Sequence, residues 1–274
     1  MLVPGMGSRG PSSGRFVPAT REEITLTPAA RGDIARYPAD MPLSRRAVLG
    51  AGAASAVALL AGCTGDWGTN GKSVLFLGNS FTDFNGGLDS MLAALAPRTH
   101  ASRISPGGST LQQHAASETD GRALRSDTWD VVVLQDQSQY PVLEPGLFAA
   151  GASTLVAQVR AVKATPMFLA TWGRPDSPGV TSKSLDAAYR SMGDRLLVSV
   201  IPAGLAFAAS LAARPNVILN QFDGHPTPAG TYLAGCTAFA TIYHTSPVGN
   251  TAHGGLSADV AQHLQKMAAK VTGH

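Results

Sequence analysis

A three-layer α/β/α sandwich around a mainly parallel sheet is the fold class that this 274-residue sequence predicts. Three observations predict it. From Ser73 onward, short apolar runs alternate with helical patterns, which is the signature of parallel βαβ units. The runs are apolar almost throughout, as strands covered on both faces are. Apolar residues make up 44% of the chain, enough for a substantial core.

The elements follow in order. Ser73–Leu77 reads as a buried strand ending at a glycine, and Gly87–Ala96 has helical spacing that stops at Pro97. His100–Ile104 reads as a second strand, followed by a weak short helix over Leu111–Ala116. Asp130–Leu134 is the clearest strand, because β-branched residues dominate it. An amphipathic helix over Pro145–Val162 has its proline at the first turn, where the missing N–H costs nothing. Strand Pro166–Thr171, helix Lys183–Arg195, strand Leu197–Ile201, helix Leu205–Ala213 and a short strand at Asn216–Leu219 come next. Thr227 caps a helix that starts at Pro228 and runs to Tyr243, and Ser257–Ala269 forms the last helix.

The N-terminal quarter has a different character. Residues 1–40 are rich in Gly, Pro, Ser and Arg and read as a disordered extension, or one that precedes the natural start at Met41. Ser44-Arg45-Arg46, an Ala-rich apolar run to Leu60 and a small-residue end form an export signal over 41–63. The run is about 15 residues, short of the roughly 20 that span a bilayer. Residues 64–72 read as a flexible linker and 73–274 as the folded domain. Seven of the 21 Lys and Arg and four of the 18 acids precede Cys63, so the remainder has 14 of each and is formally neutral. A neutral body gives no electrostatic case for nucleic acid. With only Cys63 and Cys236, no zinc-type cysteine spacing exists, and no metal or cofactor is implied.

In sheets of this kind ligands bind beyond the carboxyl ends of the strands. After the first strand stands Gly78-Asn79-Ser80-Phe81-Thr82, a turn that exposes a serine hydroxyl beside backbone N–H groups, as acyl transfer requires. Gly107-Gly108 follows the second strand and can offer a backbone N–H to a ligand. Gln135-Asp136-Gln137-Ser138-Gln139 follows the third, with amides able to donate to an oxyanion. Near the C-terminus, Asp223-Gly224-His225-Pro226 places a general base beside a carboxylate that can hold its tautomer. The remaining histidines, His114 among them, lack this context and read as surface or structural.

These blocks, from about Val74 to Ala240, resemble the SGNH (GDSL-like) hydrolase superfamily. The nearest branch is the one with Gly-Asn-Ser-x-Thr, Leu-Gln-x-Gln-Ser and Thr-Trp segments, here at 78–82, 134–138 and 171–172. The resemblance implies a flavodoxin-like five-stranded sheet with Ser80 as nucleophile and His225 as base. It also implies an oxyanion hole of Ser80, Gly108 and, where the superfamily has Asn, Gln137. The superfamily's Asp-x-x-His is one residue shorter here, so either Asp223 or a backbone carbonyl orients His225. Two further likenesses concern export: Ser-Arg-Arg resembles a twin-arginine motif, and Leu60-Ala61-Gly62-Cys63 resembles a bacterial lipobox, whose Cys becomes lipidated. Lipidation of Cys63 leaves Cys236 without a disulfide partner, as a small buried residue.

The expected function is therefore an exported serine hydrolase, anchored to the membrane if Cys63 is lipidated and otherwise secreted, acting on a cell-envelope, small-molecule or carbohydrate ester. The alternative is a catalytically impaired SGNH-like lipoprotein that binds a glycan or cell-wall ligand. Oligomeric state is not legible in the sequence.

Overall fold

The computed structural model describes residues 71–274. The extension 1–40, the export signal with Cys63 and residues 64–70 of the linker lie outside the described residues. The linker's last residue, Lys72, already belongs to the body, since its carbonyl accepts from His100 N at 2.9 Å.

Five strands form one parallel sheet: β1 Ser73–Leu77, β2 His100–Ile104, β3 Val131–Leu134, β4 Thr165–Leu169 and β5 Ser199–Ile201. Their order is β2-β1-β3-β4-β5, and all four pairings are parallel. β1 and β3 are buried and apolar because they are flanked on both sides and covered on both faces. β2 carries His100, Ser102 and Arg103 and forms an edge, where charged side chains discourage pairing with a second sheet.

Alternation along the strands divides the core in two. Val74, Phe76, Val131, Val133, Met167, Leu169 and Ile201 face one layer. That layer contains α2 Leu88–Leu95, together with three helices from the C-terminal part of the chain, Ala203–Ala213, Pro228–Tyr243 and Ala258–Thr272. Leu75, Leu77, Val132, Leu134 and Phe168 face the other. There they meet α3 Leu111–Ala116, α4 Glu118–Ser126, and two further helices at Pro145–Ala161 and Ser182–Leu196. Two single-turn helices complete the set, α1 Ser80–Asp83 and α5 Tyr140–Leu143. In chain order the longer helices after α5 are then α6 (Pro145–Ala161), α7 (Ser182–Leu196), α8 (Ala203–Ala213), α9 (Pro228–Tyr243) and α10 (Ala258–Thr272). The layered architecture is the one expected, with a flavodoxin-like strand order.

The caps at Thr227 and the prolines at the starts of α6 and α9 stand where the sequence places them. Cys236 is free and buried in α9, and burial pushes its thiol up to about 12, so it remains protonated among apolar neighbours. Among the described residues no helix is long and apolar enough to cross a membrane.

Two expectations are corrected. Asn216–Leu219 is not a strand: Val217 and Leu219 are buried and Ile218 is exposed, but the segment's pairing is a bridge between Asn220 and Pro226 inside its own loop. Alternation was satisfied by burial against one helical layer, without a partner strand. Helix α4 was not foreseen, because only its Leu124 is a buried apolar residue and Gly121 interrupts it. The Ser117 cap on Asp120 N starts it instead.

Candidate active site

The strand order reverses direction between β1 and β3, and that switch point is where the residues after both strands gather. Gly78 leaves β1 with its N–H on Ile104 O at 3.0 Å. A Cβ there would lie 2.4 Å from Thr82 Oγ1 and 2.7 Å from Gln135 Oε1, so the position has room only for glycine. Asn79 follows in extended conformation and caps α1, its Oδ1 accepting from Phe81 N at 3.1 Å. Its Nδ2 donates to Ser109 O at 3.0 Å and Asp136 O at 3.2 Å. An aspartate could not make those two bonds, which accounts physically for Asn at this place in the block. Gln135 Oε1 accepts from Asn79 N at 3.0 Å and Thr82 Oγ1 at 2.9 Å, all within the buried interior. The result is a rigid turn that presents Ser80 at the start of a helix.

His225 meets Ser80 from the opposite side. Its Nε2 is 2.9 Å from Ser80 Oγ, and its Nδ1 is 2.8 Å from Asp223 Oδ2. Asp223 Oδ1 also accepts from His225's own backbone N at 3.1 Å. One carboxylate therefore holds both the ring and the backbone of the residue two places on. Gly224 makes this short spacing workable, with φ +87° and a would-be Cβ only 2.3 Å from Arg174 Cγ. Trp172 Nε1 donates to Gly224 O at 2.9 Å, and Trp172 stacks between Phe81 and Phe207. The Phe84 ring lies 4.1 Å from the His225 ring at 18°, and Phe81 tilts against it from 5.4 Å. With Asp223 accepting at Nδ1, that nitrogen carries the proton, and Nε2 is left to accept from the Ser80 hydroxyl. Contact with His225, and then the backbone N–H bond, holds the Asp223 carboxyl below the usual carboxylate range.

Ser80, Gly108, Gln137 and His225 line one small cavity of about 230 Å³, with Asn79, Phe81, Ser138 and Arg174. The structure thus brings Ser80, Gly108, Gln137 and His225 together, with Asp223 joined to them through His225. Gln137 Oε1 accepts from Gln139 N at 2.8 Å and Tyr140 N at 3.2 Å, so its carbonyl end is fixed while Nε2 stays available as a donor. A larger cavity of about 410 Å³ lies at the start of β5, lined by Arg190, Asp194, Ser199, His244 and His274, at the opposite end of the strands from Ser80. Among the described residues no three or more His, Cys, Asp or Glu cluster as metal ligands would.

Sequence reasoning missed two residues beside the site. Arg174 lines the cavity while its Nε and Nη2 bond Asp176 at 2.9 and 2.5 Å, and its position just past β4 was the available signal. His114 is buried against the turn that carries Ser80. Nothing in its surrounding sequence marks it, because its partners Asp120 and Gly78 are brought to it by the fold.

No protein-family model matches the chain, and no curated protein matches it in sequence. In structure it is similar to a protein from Slackia heliotrinireducens assigned provisionally to the SGNH hydrolases, at 27% identity and a TM-score of 0.56, over 63% of this chain and 100% of that one. It is similar to a DUF4886 family protein from Bacteroides uniformis at 17% identity and a TM-score of 0.62, over 74% of this chain and 95% of that one. An acetyl xylan esterase matches at 14% identity and a TM-score of 0.50, over 62% of this chain and 99% of that one. The all-parallel sheet with helices on both faces, taken with these neighbours, gives the chain the three-layer α/β/α fold of the SGNH hydrolases.

Proposed function

We propose that the chain is a serine hydrolase of ester bonds, with Ser80 as nucleophile, His225 as general base and Asp223 as the carboxylate that orients it. The observation that carries this reading is the continuous chain Ser80 Oγ to His225 Nε2 to Asp223, at 2.9 and 2.8 Å. A His225 ring turned away from Ser80 would have favoured a binding protein.

In the proposed reaction His225 Nε2 takes the Ser80 proton as Oγ bonds to the carbonyl carbon. The carbonyl oxygen becomes an oxyanion, held by the N–H groups of Ser80 and Gly108 and by Gln137 Nε2. The intermediate collapses, breaking the bond to the alcohol oxygen, which leaves with the proton from His225. Water then attacks the acyl-enzyme, again with His225 as base, and frees the acid and Ser80. The imidazolium formed in each step is stabilised by Asp223 and faces the Phe84 ring.

A cavity of about 230 Å³ is smaller than the roughly 300–1,000 Å³ of pockets for drug-sized ligands, which supports a short acyl group. Gln137, Ser138 and Arg174 give it a polar wall, which supports a hydroxyl-rich alcohol such as a carbohydrate. The acetyl xylan esterase among the structural neighbours agrees with that choice. Ser44-Arg45-Arg46 and Leu60-Ala61-Gly62-Cys63 support export and attachment to the membrane through lipidated Cys63.

The test is hydrolysis of p-nitrophenyl acetate by the full chain and by Ser80→Ala, with fluorophosphonate labelling of both. Activity and labelling in the wild type alone are expected, and equal rates in the two would refute the assignment. For the anchor, labelled fatty acid should enter the wild type and not Cys63→Ser.

A further inference from the structure

The two backbone arms of the proposed oxyanion hole come from separate segments. Ser80 N–H belongs to the turn after β1, and Gly108 N–H to the loop between β2 and α3. Catalysis of this kind is sensitive to their mutual position, since donors must meet the place where charge develops.

His114 stands where these segments join. It is on α3, whose cap Thr110 lies two residues beyond Gly108, and its side chain is 2% exposed. Its Nε2 is 2.7 Å from the carbonyl oxygen of Gly78, two residues before Ser80. Its Nδ1 bonds Asp120 Oδ2, and Asp120 Oδ1 accepts from Ser117 Oγ at 2.8 Å. A backbone carbonyl can only accept, so Nε2 carries a proton. The Asp120 carboxyl takes up Nδ1, so both ring nitrogens are engaged. The ring is therefore a strut with fixed ends: Asp120 at the start of α4 holds it, and it holds the Gly78 carbonyl. Other bonds brace the same junction, Asn79 Nδ2 to Ser109 O at 3.0 Å and Leu111 N to Asp136 Oδ1 at 2.8 Å. Of these braces, His114 alone links α3 to the peptide carbonyl immediately behind the nucleophile turn.

We infer that His114, oriented by Asp120, is a positioning residue that sets the spacing between the Ser80 and Gly108 oxyanion donors. This role rests on the ester-hydrolase reading of the site.

The experiment compares the full chain with His114→Gln and Asp120→Asn, using p-nitrophenyl acetate as substrate and a fluorophosphonate as probe. Displacement of a donor by about an ångström costs on the order of 10²-fold in rate. The expected result for His114→Gln is a fall in kcat of that order, a KM within about three-fold, and a parallel fall in labelling rate, at temperatures where melting shows the variant folded. Leu264→Ala, in the opposite layer of the core, is the control: it is destabilised yet keeps kcat within about two-fold. A His114→Gln variant that keeps its kcat, or loses it only in proportion to the unfolded fraction, overturns the role. Nitrogen-15 NMR of the histidine rings in the wild type keeps the inference open to refutation even if variants misfold. A slowly exchanging Nε2–H on His114 supports it, and an unprotonated Nε2 overturns it. A wild type that neither hydrolyses nor labels overturns the hydrolase reading and this role with it, whereas an active wild type beside an equally active His114→Gln overturns this role alone.

Discussion

Asn79→Asp replaces one nitrogen by one oxygen and should be costly. In the wild type, Nδ2 donates to two backbone carbonyls at 3.0 and 3.2 Å, and the residue is only 2% exposed. The new carboxylate oxygen would face both carbonyls with nothing to donate. Two hydrogen bonds of about 1 kcal/mol each are lost and the Ser109 carbonyl loses its partner, while the Asp136 carbonyl keeps Gln135 Nε2, for a total of about 2–4 kcal/mol. In a domain of this size that lowers Tm by about 5–15 °C. The variant can recover one bond by taking up a proton, so its carboxyl is raised in the folded state above the ordinary value near 3.9. The sign follows. Below pH ~4 the group is protonated folded or unfolded and the penalty is smallest. As pH rises through the folded-state pKa, the penalty grows to its full size. Urea denaturation of the full chain at pH 5 and pH 8 measures both. A variant within about 0.5 kcal/mol of wild type at pH 8, or one destabilised more at pH 5 than at pH 8, would refute the assignment of Asn79 as a double donor.

Four further outcomes follow from the site. Asp223→Asn should lower kcat by about 10- to 100-fold, less than the roughly 10⁴ seen for a buried triad carboxylate, because Asp223 is half-exposed. The wild-type Asp223 carboxyl is held low by its hydrogen bonds to His225, so it stays ionised above about pH 4 and takes up a proton only as pH falls further. Asp223 should therefore add no proton to the acid limb of kcat/KM above pH 4, and a two-proton limb there would contradict this. Gly78→Ala should cost about 1–3 kcal/mol and most of the activity, because its Cβ collides with Thr82 and Gln135; melting and kcat measure the two effects. Phe84→Leu should lower kcat by about two- to five-fold with Tm little changed, since it keeps bulk and loses the aromatic face opposite the imidazolium, while Phe84→Tyr should retain the rate.

What could be read from the sequence was local in origin. β1, β3 and β4 carry buried apolar runs, Ser80, Gly108 and Gln137 each follow a strand, and His225 stands just ahead of the helix that Thr227 caps. The misses share a cause. The strand expected at Asn216–Leu219 has the right alternation, but pairing depends on a neighbour that no local pattern reveals. Helix α4 starts from a cap rather than an apolar stripe, so periodicity passes over it. His114 acquires its surroundings from residues 6 and 36 positions away, and only the folded chain brings the latter to it. The short Asp223–His225 spacing looked like a departure from the superfamily pattern, and it proves compatible with contact because Gly224 adopts a positive φ.

The distance in sequence between Ser80 and His225 has a bearing on when the protein can act. The two side chains that touch are 145 residues apart, and every strand of the sheet lies between them or just ahead of Ser80. Synthesis runs from the N-terminus, so the nucleophile turn is complete long before its base exists. Bringing the two together also requires closing a very long loop, a slow step in topologies of this kind. A chain that stalls, is cut short before Asp223, or has yet to finish folding carries an unactivated serine. On the proposed mechanism, esterase activity would thus switch on late, only once the segment that carries His225 has reached Ser80.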